Sequence, residues 1–196
     1  MLLGGGLVAV AAIAAVAVVL AVVLGGDSST DETLRAAGCT IEKKPAQGRQ
    51  HVQQLAKGFK YNTFPPTSGP HYPVPATWDI YTEPVEQFRL LHDLEHGGVI
   101  VQYGSDVPES AVAQIREWYL DDPNGIIVAP LPALKDKIAL AAWTAPDASP
   151  GQEAGPGQGV VAKCASFDAA ALDAFKETYG FRGPERFPRD SLVPGT

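Results

Sequence analysis

Hydrophobic and polar positions divide the chain into an apolar beginning and a mixed remainder. Residues 2–24 form an unbroken apolar run without a charge, rich in alanine, valine and leucine. Because about 20 apolar residues suffice to cross a bilayer, the run predicts a transmembrane anchor over residues 1–25. A cleaved signal peptide is the alternative, but its apolar core is usually about 7–15 residues long and no A-x-A site follows the run. Residues 26–37 are polar and predict a tether.

The rest of the chain shows strand and helix periodicities in turn. Apolar runs predict strands over residues 99–103, 125–129, 138–144 and 160–164, and helical spacing predicts helices over residues 84–96, 108–120 and 167–179. Five prolines and a glycine between residues 64 and 75 exclude a helix, and nearby aromatic residues predict a stiff, ordered loop. Because some strands are joined by helices and others by short loops, we expect an α+β domain over residues 38–187. It would have a small, mostly antiparallel sheet packed with two or three helices, and a tail over residues 188–196.

Charge and cysteine content restrict the compartment and the partners. The net charge of −7 lies wholly outside the apolar run, and so acidic a domain is a poor match for nucleic acid or anionic lipid. The two cysteines, Cys39 and Cys164, form no C-x-x-C motif. They predict one long-range disulfide in an oxidising compartment, with two buried free thiols as the alternative. We therefore expect a single-pass membrane protein whose domain lies on the extracytoplasmic side.

All four histidines fall between residues 51 and 96. His92 and His96 lie four apart on a predicted helix, so their rings point the same way, and Glu95 is near enough to be a ligand, a base or an orienting partner. His71 stands in the stiff proline-rich loop, which can hold it in place, whereas its surroundings constrain His51 less. This concentration predicts a transition-metal site. Solvated or hydrogen-bonded imidazoles near a helix C-terminus are the alternative interpretation.

Residues 92–96 also fit H-x-x-E-H, an arrangement in which two histidines bind zinc and the glutamate is the general base. A zinc hydrolase using Glu95 is therefore a third hypothesis. It needs a further acidic ligand on a later helix, for which Glu109, Glu117 and Glu177 qualify only by being acidic. The sequence has no serine-nucleophile elbow or phosphate-binding loop, and no organic cofactor is evident. The single methionine, Met1, excludes a methionine-rich copper(I) site.

Two sequence blocks carry a family resemblance. Residues 65–71 read PPTSGPH and residues 91–98 read LHDLEHGG. With these blocks the chain resembles the domain of unknown function 3105 family, largely bacterial proteins that commonly carry one N-terminal membrane helix. The resemblance runs from Gly38 to Glu185 and covers most of the domain. It implies that His51 belongs to the same pattern as the other three histidines and Glu95, and it implies no biochemical activity.

The leading hypothesis is a cell-envelope protein that binds copper or zinc, since imidazole suits both ions. It would act as a carrier, a sensor or an accessory protein. The alternative is a non-metal module in which the proline-rich loop and the histidine helix form a groove for a peptide, a glycan or a protein. The expected partners are the membrane, a metal ion and an envelope protein, without nucleic acid. The sequence favours a binding protein over an enzyme.

Overall fold

A five-stranded mixed sheet forms the centre of the computed structural model, which describes residues 28–147 and 154–196. The strands are β1 (Cys39–Pro45), β2 (Val99–Tyr103), β3 (Ile126–Pro130), β4 (Ile138–Thr144) and β5 (Gln158–Cys164). They lie in the order β1-β5-β4-β2-β3. Strands β2 and β3 pair in parallel, and every other neighbouring pair is antiparallel.

Four α-helices lie in the described part of the chain. They are α1 at residues 28–36, α2 (Gln87–Glu95), α3 (Glu109–Asp121) and α4 (Ala169–Tyr179), with short 3-10 turns at Pro132–Leu134 and Arg189–Ser191. Helix α3 joins β2 to β3, because a parallel pair needs a crossover connection rather than a tight turn. At the start of α4, the Asp168 side chain accepts a hydrogen bond from the Ala171 N–H (2.9 Å), which caps the helix.

Alternating side chains give the sheet two buried faces. In β2, Val99 and Val101 point to one face and Ile100 points to the other. Helices α1, α3 and α4 cover the first face, whereas α2 and the proline-rich loop cover the second. The two faces are completed by Leu34, Ile115, Leu172 and Phe175 on the first, and by Trp78, Leu91, Leu94 and Trp143 on the second. The histidine segments therefore lie on the second face, apart from the other three helices.

The fold class predicted from the sequence needs correction. The domain is α+β and its mixed sheet is mostly antiparallel, as predicted, with β2–β3 as the one parallel pair among the described strands, but four helices rather than two or three accompany it. The parallel pair arises because α3 carries the chain back across the sheet between β2 and β3. The predicted fold class also included a transmembrane helix, which the described ranges do not show, since none of their helices is long and apolar enough to span a membrane. Residues 1–25, on which that prediction falls, lie outside the described residues.

Structured residues extend beyond both ends of the predicted domain. Residues 28–36, which were expected to be tether, are helical, and Leu34 within them is fully buried. At the other end, Leu192 is buried in the core of the second face. The Trp78 N–H also donates to the carbonyl of Thr196 (2.9 Å), so the last residue of the chain contacts the proline-rich loop. The sequence did not predict these two segments, because each is mostly polar and buries only one large apolar side chain.

The predicted disulfide between Cys39 and Cys164 is confirmed. The two residues face each other in the antiparallel β1–β5 pair, and both are buried. They are 125 positions apart in sequence. The bond therefore attaches the edge strand β1 covalently to β5, its neighbour in the sheet.

Candidate metal centre

Main-chain hydrogen bonds place His51 and His71 side by side. The two residues form an isolated parallel bridge. In it, the Val52 N–H donates to the His71 carbonyl (2.8 Å), and the His71 N–H donates to the Gln50 carbonyl (3.0 Å). The ring centroids of the two histidines are 4.8 Å apart. Backbone contacts between two irregular segments thus fix the spacing of these imidazoles.

Helix α2 supplies the next two side chains. His92 and Glu95 are three residues apart, so they share one face of the helix. Tyr72 attaches the proline-rich loop to this helix at two points. Its N–H donates to the Phe88 carbonyl (3.0 Å), and its carbonyl accepts a hydrogen bond from Nδ1 of His92 (2.9 Å). The loop that carries His71 is therefore held directly against the helix that carries His92.

The carboxylate of Glu95 lies at the centre of the cluster. Its Oε2 is 3.0 Å from Nε2 of His71 and 3.2 Å from Nε2 of His51. Its Oε1 accepts a hydrogen bond from Nε of Arg49 (3.0 Å). The side chain is only 1% exposed. A carboxylate buried to this extent needs such partners, because an uncompensated charge away from water is costly.

Backbone carbonyls determine which ring nitrogens carry protons. A carbonyl only accepts hydrogen bonds, so Nδ1 of His71, at 2.8 Å from the Gly69 carbonyl, must be the protonated nitrogen. By the same reasoning, Nδ1 of His92 carries a proton, because it donates a hydrogen bond to the Tyr72 carbonyl. In each neutral ring the lone pair is then on Nε2. Metal-binding histidines are commonly oriented in this way, with the other nitrogen donating to a carbonyl or carboxylate.

The contact between His71 and Glu95 is close but poorly directed. Their 3.0 Å separation is short enough for an ion pair. However, Nε2 of His71 is buried and has no hydrogen bond of acceptable geometry within the described ranges. We therefore treat the two atoms as neighbours rather than as a hydrogen-bonded pair. In the neutral ring, the Nε2 lone pair lies beside a carboxylate oxygen.

The electrostatics keep Glu95 anionic and the helix histidines neutral. Burial by itself raises the pKa of Glu95, but His71 and Arg49 together lower it to about 2. Burial lowers the pKa of His92. Burial and the neighbouring His92 lower the pKa of His96 to about 4. These directions argue against cationic histidines at the helix end and favour the uncharged form that binds metals.

Solvent reaches this cluster on the side of His51. His71 is fully buried and His92 nearly so, whereas the His51 side chain is 42% exposed. The His51 ring stacks on that of His92, with centroids 4.6 Å apart and planes inclined by 19°. Trp143 lies beneath His71, with ring centroids 6.0 Å apart, and belongs to the core of the second face. The cluster thus has a buried floor at His71 and one partly exposed side at His51.

The four side chains fit a transition-metal ion. One possible ligand atom from each of them lies within 4.8 Å of the other three. We call this set the inner group: His51, His71, His92 and Glu95. Tetrahedral zinc with bonds of about 2.0–2.1 Å needs ligand atoms about 3.3 Å apart, so the groups would have to approach by at most about 1.5 Å. Three imidazoles and a carboxylate suit zinc and copper(II) equally.

His96 belongs to a different set. Possible ligand atoms of His92, His96 and Glu185 lie within 4.8 Å of one another, and we call this set the outer group. Nε2 of His96 is 3.9 Å from Oε2 of Glu185. Main-chain bonds hold the Glu185 loop at the end of α2, since the Glu185 N–H donates to the Glu95 carbonyl (3.0 Å). His92 is common to the two groups.

The structure separates the five ligands predicted as one set. His51, His71, His92 and Glu95 come together, whereas His96 turns toward Glu185. Sequence reasoning missed Arg49 and Glu185 as site residues, because both come from irregular segments that have no periodic signal. Both lie within the range of the family resemblance, which gave neither of them a role.

Comparison with known proteins identifies the family. The family described as "Protein of unknown function (DUF3105)" matches residues 51–190. The chain belongs to this family. The DUF3105 match contains every residue of the inner and outer groups, whereas β1 and Arg49 precede it. No curated protein and no solved structure gives a significant match. Because the DUF3105 description names no activity, a function has to be argued from the site itself.

Proposed function

We propose that this DUF3105 protein binds one transition-metal ion, zinc or copper(II), in the inner group. Nε2 of His71 is the atom that carries the proposal. It is buried without a well-directed hydrogen bond in the described ranges, and in the neutral ring its lone pair would lie 3.0 Å from an oxygen of the Glu95 carboxylate. A cation between them replaces an unfavourable contact with two coordination bonds. His92 adds a second Nε2 lone pair, and His51 adds the last ligand from the exposed side.

The neighbours of the inner group support the same assignment. The Gly69 and Tyr72 carbonyls fix the rings of His71 and His92 with Nδ1 protonated. Arg49 occupies Oε1 of Glu95, which leaves Oε2 for the ion. Arg49 therefore acts as a positioning residue. It also keeps the carboxylate ionised, as a ligand must be.

The other hypotheses fit these contacts less well. Arg49 occupies one oxygen of Glu95 and lowers the pKa of its carboxyl group, so Glu95 is a weak base, which argues against a hydrolase. A peptide or glycan needs an accessible surface, whereas His71, His92 and Glu95 are buried. A buried ion pair without metal, with His71 doubly protonated against Glu95, explains the same proximity. Metal analysis distinguishes this last alternative.

The disulfide supports a proposal about the compartment in which the metal is bound. A bond between Cys39 and Cys164 persists in oxidising compartments and is rare in the cytosol. We therefore place the metal-binding domain on the extracytoplasmic side, where a carrier or sensor would meet the ion.

The test is metal binding by the purified chain after treatment with a chelator. Titration with Zn²⁺ and, separately, with Cu²⁺ should give one equivalent bound per chain by calorimetry and elemental analysis. His71→Ala and His92→Ala should weaken binding by more than about 100-fold, beyond the 10–100-fold typical of groups that only orient a ligand. Arg49→Gln should weaken it within that smaller range.

A matched control separates the site from general charge effects. Glu177→Gln removes an exposed carboxylate from α4, on the opposite face of the sheet, and should bind as the wild type does. Far-UV circular dichroism of each variant verifies the fold. If the wild type retains no metal, or if both histidine variants bind as tightly as the wild type, the metal hypothesis is wrong and the buried ion pair is the better explanation.

A further inference from the structure

We propose that the outer group is a loading position, from which the ion passes to the inner group while it stays bound to His92. This inference rests on the proposed function and adds a route to it. It assigns a role to His96 and Glu185, which the inner group does not use. The ligand is a divalent transition-metal ion that reaches the protein from solution.

His92 lies between the two groups. Its ring centroid is 4.5 Å from that of His96 on one side and 4.6 Å from that of His51 on the other. Nδ1 of His92 donates to the Tyr72 carbonyl, so Nε2 is the single nitrogen available to a metal. One lone pair binds one ion at a time. The two groups are therefore alternative positions, and a transfer between them exchanges the remaining ligands without releasing the ion from His92.

Exposure decreases along the path from Glu185 through His96 and His92 to His71 and Glu95. The side chain of Glu185 is 46% exposed and that of His96 is 15% exposed. His92 is 6% exposed, and His71 and Glu95 are buried completely or almost so. An ion that arrives at Glu185 thus meets ligands of increasing burial on its way inward.

Charge favours this route over the partly exposed side at His51. Arg49 pairs with Glu95 there, so an approaching cation meets a carboxylate whose charge a guanidinium already balances. On the other side it meets the carboxylate of Glu185. The cation nearest in sequence, Arg186, donates to the Gly183 carbonyl and is paired with Asp147. The carboxylate of Glu185 should therefore steer a cation toward His96, since local fields change association rates strongly.

The inner group is the final position because it offers more ligands. It provides four ligands, of which the carboxylate is buried, whereas the outer group has three ligands and its carboxylate is 46% exposed. Loss of the outer group should therefore slow loading without weakening the final complex. This separation of rate from affinity distinguishes a loading position from an ordinary ligand set.

The experiment is a stopped-flow measurement of Zn²⁺ binding by the purified chain, with a chromophoric chelator reporting free Zn²⁺, beside equilibrium titrations. Glu185→Gln keeps the size of an exposed side chain and removes its charge. His96→Ala removes the second ligand. Both variants should reach the wild-type stoichiometry of one ion and the wild-type Kd, with association slowed by about tenfold or more. Release to excess chelator should slow by the same factor, because an unchanged Kd requires it. Glu177→Gln on the opposite face should load at the wild-type rate.

The outcomes separate this inference from the proposed function. Wild-type association rates in both variants would refute the loading position and leave the inner group intact. A loss of affinity in His96→Ala as large as that in His71→Ala would also refute it, because His96 would then be a ligand of the final complex. Two ions bound per wild-type chain would contradict the shared role of His92. If the wild type binds no metal, both proposals fail together.

Discussion

Reduction of the disulfide is the perturbation whose effect follows most directly from the fold. Cys39 and Cys164 close a loop of 125 positions that contains the whole sheet and two of the four helices of the described part of the chain, α2 and α3. Chemical reduction breaks one covalent bond, adds two hydrogens and removes no side chain from the folded core. Its main effect is therefore on the unfolded chain, which gains the freedom that the cross-link removed.

The length of the loop sets the magnitude. The chain-entropy relation for about 125 residues gives about 5 kcal/mol at 25 °C. Domains of ordinary size have free energies of unfolding of about 5–15 kcal/mol, so reduction should remove a third or more of the total. With a denaturant dependence of about 2 kcal/mol per molar urea, the midpoint of unfolding should fall by about 2.5 M.

Urea unfolding followed by tryptophan fluorescence measures this change, because Trp78 and Trp143 are buried in the second face. The wild type is compared with and without reductant, and thiol alkylation with mass spectrometry verifies that the bond is open. A double variant, Cys39→Ala with Cys164→Ala, is the control. It should unfold near the reduced wild type and should not respond to reductant.

Two results would refute the reasoning. If the fully reduced wild type unfolds at the same urea concentration as the oxidised protein, the cross-link does not restrict the unfolded chain as calculated. If reductant shifts the double variant as much as the wild type, the effect comes from the reagent and not from the bond.

Three further predictions concern stability, each measured by urea unfolding. Asp168→Ala removes the N-cap of α4 and should cost about 1 kcal/mol, whereas Asp168→Asn, which keeps an acceptor, should cost less. Trp143→Ala empties a fully buried position and should cost about 3–5 kcal/mol; a cost below 1 kcal/mol would mean that the ring is not packed as described. Burial tends to raise the pKa of Asp122, but Lys176 and Arg189 outweigh it and lower the pKa from 3.8, so its stabilising effect is present above pH 3.8 and is lost as the pH falls. Because the carboxylate is 40% exposed, Asp122→Asn should cost less than about 1 kcal/mol at pH 7, and a difference from wild type that grows on acidification would contradict the assigned sign.

Periodic apolar patterns predicted the interior of the fold well and its margins poorly. The sequence expectation for β4, residues 138–144, coincides with the observed strand, because its side chains are buried on both faces. By contrast, β1 was not predicted. Its sequence, CTIEKKP, is mostly polar, since an edge strand packs on few neighbours and leaves charged side chains in water. Helix α1 was missed for a related reason, because Leu34 is its one large buried side chain.

The candidate site was likewise predicted only in part from the sequence. The spacing of His92 and Glu95 on one helix face is a local property, so the sequence contained it. The pairing of Glu95 with Arg49, 46 positions away, is a property of the tertiary fold. So is the turn of His96 toward Glu185, which depends on how the segment after α4 returns to the end of α2. No pattern within a single segment carries that information.

The bridge between the His51 and His71 segments has a consequence for engineering. Peptide groups, and not side chains, make its two hydrogen bonds. Replacing either imidazole therefore leaves both hydrogen bonds between the two segments in place. Softer or harder donors, such as a thiol or an amide, can be installed at these two positions on an unchanged framework. Ion preference would then be adjustable by substitution, without redesign of the chain around it.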